Sequence, residues 1–172
     1  QGMNTSHKDI RMGKNKHVDL FNDMIPAVDM NIKELWDAVT DDGRKEIRGD
    51  MWNLNRYISN VKTNKTEIQQ HYVLTVNEYY NKHWNDLYKN HPKLLWLLLC
   101  MCNYDGKTKF FHEWMPMSRA PVDKKTKFLM ELYPDMRTDE VELLAKINTD
   151  KDIKELARQH GMEDSEIKKK FK

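Results

Sequence analysis

The 172-residue sequence has little glycine and proline, with six Gly and five Pro. An average chain carries roughly 12% of the two together. A sandwich, a barrel or a glycine-rich nucleotide fold, each of which needs many tight turns, is therefore not expected. Cysteine is just as scarce. Cys100 and Cys102 are the only two; they stand too close together to close a useful loop and lie in an apolar run where a buried thiol is ordinary. That usage suits a reducing, intracellular compartment. No signal-peptide pattern is evident, and the longest apolar run, Leu94 to Cys102, is about half of what a bilayer crossing needs. A charge of one sign is also lacking: the formal net charge of +2 is too small to announce nucleic acid by itself.

What is present is helical texture, with 39% hydrophobic and 33% charged residues. A chain of this length can bury a substantial core without disulfides. Gln1-Gly2 ahead of Met3 reads as the remnant of a cleaved tag, and residues 1–17 as a basic arm without apolar period, carrying Lys8, Arg11, Lys14 and Lys16. A short apolar face, Leu20, Phe21, Met24 and Ile25, follows and is interrupted by Pro26. Asn31 with Glu34 three residues on predicts an N-cap. Ile32, Leu35, Trp36 and Val39 then give one amphipathic helix ended by Asp41-Asp42-Gly43. A second helix is expected over Ile47 to Ser59. The face Ile68, Tyr72, Val76, Tyr79 and Tyr80, continued by His83, Trp84 and Leu87, marks the clearest helix, from near Thr66. Pro92 suits a helix's first position, and the run after it is apolar all round, as expected of a central core helix.

Beyond Gly106 the texture turns irregular and basic. Short helices are expected from Lys125 to Leu132, from Thr138 to Ile147, from Thr149 or Asp150 to Gly161, and from near Asp164 onward. The fold class is all-α, an irregular multi-helix bundle with a small C-terminal helical corner. Its expected divisions are the arm (1–17), a main helical domain (18–106), a basic connection (107–137) and a helical subdomain (138–172).

Few motifs carry chemistry. Gly106-Lys107-Thr108 matches the tail of a phosphate-binding loop, but the glycine required five positions earlier is Met101, so the wrap of backbone amides is missing. A C-x-C pair in a helix directs its thiols about 200° apart. Together with His91 and His112 it therefore makes a poor zinc set, and His112-Glu113 lacks the second His of H-E-x-x-H. No acid–base pair stands out, so neither catalysis, nor a metal, nor a cofactor is expected. Trp52 and Arg56, four apart on one helix, form a frequent interface pairing and are candidate partner contacts, with packing inside the chain as the equal alternative for Arg56. Trp36 and Trp96 read as packing residues. The stretch from Asp152 to Ile167 has the texture of a helix-turn-helix. Its second helix nevertheless opens with Glu163, Asp164 and Glu166, which phosphates would repel where a recognition helix presents polar and basic groups.

Four segments in order carry a resemblance: Met51-Trp52-Asn53-Leu54-Asn55-Arg56-Tyr57-Ile58-Ser59, His91-Pro92-Lys93-Leu94-Leu95-Trp96-Leu97-Leu98, Lys109-Phe110-Phe111-His112-Glu113-Trp114 and Glu142-Leu143-Leu144-Ala145-Lys146. From about Val18 onward the chain resembles the small clamp-loader subunit of tailed bacteriophages, especially forms from cyanobacterial phages. The resemblance implies a non-ATPase member of a ring that includes a phage ATPase subunit. That ring opens a sliding clamp and places it at primer–template DNA, in the cytoplasm of the infected bacterium and without a membrane. Under it, Lys107, Lys109, Arg119, Lys124, Lys125 and Lys127 are candidate contacts to DNA phosphates or to an acidic partner. The competing expectations are a small helix-turn-helix-like DNA-binding regulator and a phage adaptor for a host protein. Charge is not evenly spread: acids outnumber bases eight to five over 21–60, whereas bases outnumber acids seven to four over 107–137.

Overall fold

The structure is a computed structural model that describes residues 17–116 and 122–171. The described chain is all-α. It has no β-strand, and a single bridge between Val61 and His112 is its one extended pairing. No helix among these residues is long and apolar enough to cross a membrane.

The first half opens with a π-turn, Leu20–Met24, capped by the Asp19 carboxylate, which accepts from the amides of Phe21 and Asn22. It runs directly into α1 (Ile25–Asp29). The helix expected over 32–39 forms only as the single turn α2 (Leu35–Ala38). Asn31 sits at φ 53° rather than capping a helix, and Val39 is extended. The periodicity still identified core residues correctly, since Leu35, Trp36 and Val39 are all buried.

The sequence Asp41-Asp42-Gly43, expected as a stop, is instead the start of α3 (Asp41–Ile58). The Thr40 hydroxyl accepts from the Gly43 amide at 3.2 Å, and two acids in the first turn complement the positive end of the helix. Gly43 is present for lack of space: a Cβ there would lie 2.9 Å from Val39 Cβ and 3.1 Å from Val18 Cγ2.

The long helical path begins with α4 (Thr66–Thr75), passes through a π segment (Val76–Tyr80) and a 3₁₀ turn (Asn81–His83), and ends in α5 (Trp84–Leu87). These register changes rotate the apolar face as it proceeds. Pro92 then opens α6 (Pro92–Cys100), as expected, and Leu95, Trp96, Leu99 and Cys100 are fully buried. Both thiols are free and buried, and burial pushes the Cys102 thiol up to about 12.

The second half comprises α7 (Lys124–Leu132), α8 (Thr138–Ile147), α9 (Asp150–Gln159) and α10 (Asp164–Lys170). Asp123 caps α7, and Thr149 with Asp152 forms a reciprocal capping box on α9. Gly161, at φ 83°, turns the corner between α9 and α10. Buried Ala157 and Ile167 close that corner.

Two hydrophobic clusters result. The first gathers residues from Val18 to Cys102, with Phe110 packed against it; the second gathers α7 to α10. α4 belongs to both, because Ile68 and Tyr72 enter the first cluster while Val73 and Leu74 join the second. Neighbouring positions 100° apart on one helix thus serve two cores.

Candidate interaction surface

Two groups of aromatic rings lie along α3. In the first, Trp52 meets Trp84 edge to face at 5.6 Å, and Trp84 stacks on Tyr88 at 4.4 Å. Guanidinium groups cap both ends, Arg137 over Trp52 at 4.8 Å and Arg48 over Tyr88 at 5.3 Å. In the second, Tyr57 is flanked by Phe21 at 5.1 Å and by Trp114 at 5.3 Å. Phe21 is 55% exposed, Trp114 43% and Trp52 42%. Large apolar rings so open to water mark binding surfaces more often than isolated exposed leucines do.

Arg56 links the groups from underneath. Its side chain is 1% exposed. Nε donates to the Met115 carbonyl at 2.8 Å, Nη2 donates to the same oxygen, and Nη1 donates to Asp139 Oδ2 at 2.6 Å. The guanidinium also lies 5.2 Å from the Trp114 ring. The expectation that Arg56 offers a partner contact is therefore corrected: its donors are spent inside the chain, and it supports the surface without forming it. Trp52 does sit at the surface, and its cation is Arg137, 85 positions away in sequence, in place of Arg56.

The segment that carries Trp114 is pinned by a polar network that local sequence does not announce. The Asp29 carboxylate accepts from the Tyr72 hydroxyl at 2.7 Å, from the Phe110 amide at 2.7 Å and from His112 Nε2 at 3.0 Å. His112 Nδ1 faces the Tyr57 carbonyl at 3.1 Å. Burial and the Asp29 charge raise the Tyr72 hydroxyl far above its ordinary range. The arrangement resembles a catalytic dyad in composition, but both imidazole nitrogens face oxygen acceptors and Asp29 is 1% exposed. It fastens the 110–115 segment to the first core. The backbone adds Lys62 N to Phe111 O at 2.8 Å and Glu113 N to Asn60 O at 3.0 Å. Phe111 is left 66% exposed.

Among the described residues, the basic segment is divided between two elements. Lys107 and Lys109 are exposed on the loop that Phe110 packs against the first core, whereas Lys124, Lys125 and Lys127 lie on α7 in the second half. Arg119 lies outside the described residues. Lys125 is partly committed inside the chain, donating to the Asn148 carbonyl at 2.6 Å. With Lys124, Lys170, Asp150, Phe128 and Phe171 it lines a depression of about 180 Å³. At the phosphate-loop-like Gly106-Lys107-Thr108, the amides of Lys107 and Thr108 both donate to Asp105 Oδ1 at 2.8 Å. A side-chain carboxylate thus occupies those amides and closes an Asx turn.

Comparison with protein-family models, with curated proteins and with solved structures finds no match for this chain.

Proposed function

We propose that the chain is a non-catalytic assembly subunit that docks a protein partner on the aromatic face along α3. The observation that carries this reading is the Phe21–Tyr57–Trp114 group: two exposed rings about a half-buried one, on a backing of buried Arg56, Asp29 and His112. A preorganised aromatic patch loses little side-chain entropy on binding. The four sequence segments that resemble the small clamp-loader subunit of tailed phages give the partner a class, an ATPase subunit of a ring that loads a sliding clamp at primer–template DNA. Two of those segments, 51–59 and 109–114, supply Tyr57 and Trp114. In that complex the exposed lysines of 107–109 and α7 stand near DNA phosphates, and ATP hydrolysis belongs to the partner.

The helix-turn-helix-like alternative has its corner in α9 and α10, yet Asp164 and Glu166 occupy the first turn of α10 and its lysines the last. Charge in that order works against major-groove reading.

The test is co-expression with a cyanophage clamp-loader ATPase subunit, followed by size-exclusion chromatography and clamp- and DNA-stimulated ATP hydrolysis. Co-elution that is lost in Trp114→Ala supports the reading. Separate elution of the two folded proteins overturns the clamp-loader assignment. Sequence-specific duplex binding by the chain alone, abolished by deleting 150–172, establishes the regulator instead.

A further inference from the structure

Four buried side-chain polar atoms among the described residues have no hydrogen-bond partner: Asn55 Oδ1, Asn77 Oδ1, Arg137 Nη1 and Glu140 Oε2. All belong to the joint between the two cores. Glu140, on α8, is 0% exposed. Its Oε1 accepts from Asn81 Nδ2 at 2.5 Å and from the Ser59 hydroxyl at 3.4 Å. Asn55 lies one turn before Ser59 on α3, and Asn77 one turn before Asn81 on the adjoining segment. Arg137 stands at the head of α8. Isolated orphan groups occur in native proteins, each at a desolvation cost. Here two of the orphans, on Asn55 and Asn77, lie one turn from Ser59 and Asn81, the two residues that donate to Glu140.

Three of the four are acceptors and only Arg137 Nη1 is a donor, so the joint is short of donors. A proton on Glu140 Oε2 supplies one without needing a void, since a protonated carboxyl donates where a carboxylate only accepts. Of the neighbouring charges only Arg137 Nη1 is an unspent donor, and it makes no hydrogen bond to Glu140; the rest are committed elsewhere. From α3, the Arg56 guanidinium is spent on Met115 and Asp139. From the 76–83 segment, Lys82 pairs with Glu78 at 2.7 Å on the outside. From α8, Arg137 Nη2 is bound to Asp139 at 3.0 Å, and Asp139 itself is a second carboxylate beside Glu140.

We infer that Glu140 is a proton-binding residue that couples pH to closure of the joint. Protonated, it keeps α8 seated without a buried charge; ionised, it buries a charge that the Ser59 and Asn81 donors only partly offset, and so loosens that seat and with it the Arg137 cap on Trp52. The direction of its titration agrees, because burial pushes the Glu140 carboxyl above the ordinary glutamate range, with Asp139 adding to the rise and Arg137 and Asn81 opposing it. A group raised in this way contributes stability that is present at low pH and lost as pH climbs toward its folded-state value. This goes beyond the docking role and does not depend on it, since no partner enters.

The experiment follows the full chain by NMR from pH 4 to 8. It reads the Glu140 carboxyl carbon shift and, after correction for intrinsic rates, the hydrogen exchange of α8 amides. Glu140 is expected to titrate above the ordinary range, with the opening equilibrium of α8 rising about tenfold per pH unit between that range and its midpoint. Glu140→Gln should flatten the rise, whereas Asp139→Asn should keep it. A Glu140 carboxyl that titrates in the ordinary range, or a Glu140→Gln chain with the wild-type pH slope, overturns the inference. Should Glu140→Gln fail to fold, the carboxyl titration of the wild-type chain decides alone.

Discussion

Arg56 and Asp139, 83 positions apart, meet at 2.6 Å through Nη1 and Oδ2, and the same carboxylate oxygen accepts from Arg137 at 3.0 Å. This one oxygen joins two cation–aromatic contacts, Arg56 on Trp114 and Arg137 on Trp52. The two ring groups along α3 therefore share a single polar anchor, and that anchor stands at the head of α8, where the second core meets the first.

Removing the guanidinium exposes the cost of that anchor. Arg56→Met leaves the Met115 carbonyl and one face of Asp139 unpaired in a buried site, and breaking a buried ion pair from one side costs about 3–5 kcal/mol. Arg56→Lys should recover only part of this, because an ammonium cannot serve the Met115 carbonyl through two nitrogens and Asp139 through a third in one plane. Urea unfolding of the three chains checks both statements. An Arg56→Lys chain as stable as wild type would show that charge alone, without the fork, is what matters.

Asp139 gives that anchor a pH dependence. Burial works against its ionisation, but hydrogen bonds and charges from Arg137 and Arg56 outweigh it and hold the carboxyl below the usual aspartate range. A depressed carboxyl contributes stability that is present above its unfolded value and lost as pH falls through its folded value. Acid unfolding should therefore begin at higher pH in Arg137→Gln than in wild type, because the second guanidinium no longer holds the Asp139 proton off. Circular dichroism across the acid range reads the shift, and an unchanged midpoint would refute it.

α3 contains a matched pair of glycines with opposite expectations. At Gly49 a Cβ would meet nothing within 4 Å, so Gly49→Ala should stabilise by about 0.5–1 kcal/mol through helix propensity. At Gly43 the same change drives a Cβ to within 2.9 Å of Val39 Cβ, with Val18 behind it. That crowding outweighs the propensity gain, and Gly43→Ala should destabilise by about 1–3 kcal/mol. Thermal melts of the two chains should move in opposite directions.

These residues also show what local sequence could and could not tell. Where a signal is local it is legible: Pro92 opening α6, Thr149 or Asp150 starting α9, Gly161 ending it at the last corner. The start of α3 was misread because Asp-Asp-Gly suits both a turn and an N-terminal first turn, and the choice rests on the Thr40 cap and the space between Val18 and Val39. Trp52 was identified as a surface aromatic, but its cation Arg137 was not, and Arg56 proved to be a buried support. The pairing of Asp29 with His112 left no trace in the sequence, since the two lie 83 positions apart and neither belongs to a periodic face. Long-range polar pairing is set by how the helices pack, which one-dimensional patterns do not encode.

The exposed rings of the 110–115 segment and the buried Tyr72 that helps to pin it should separate cleanly under mutation. Trp114→Ala and Phe111→Ser remove rings that are 43% and 66% exposed. Phe111→Ser in particular touches a group whose substitution normally changes stability by no more than about 0.5 kcal/mol. Tyr72→Phe instead removes a buried hydroxyl that donates to Asp29 at 2.7 Å and should cost about 1.5–3 kcal/mol, the range for a hydrogen bond to a charged group. If the face docks a partner, the first two chains should lose partner binding while keeping most of their stability. Tyr72→Phe should lose stability but keep binding in the fraction that stays folded. Titration calorimetry against the ATPase subunit, alongside urea unfolding of each variant, reads both axes. Full binding by the Trp114→Ala, Phe111→Ser double variant would remove the aromatic face from the docking surface and direct the search to the lysines of α7.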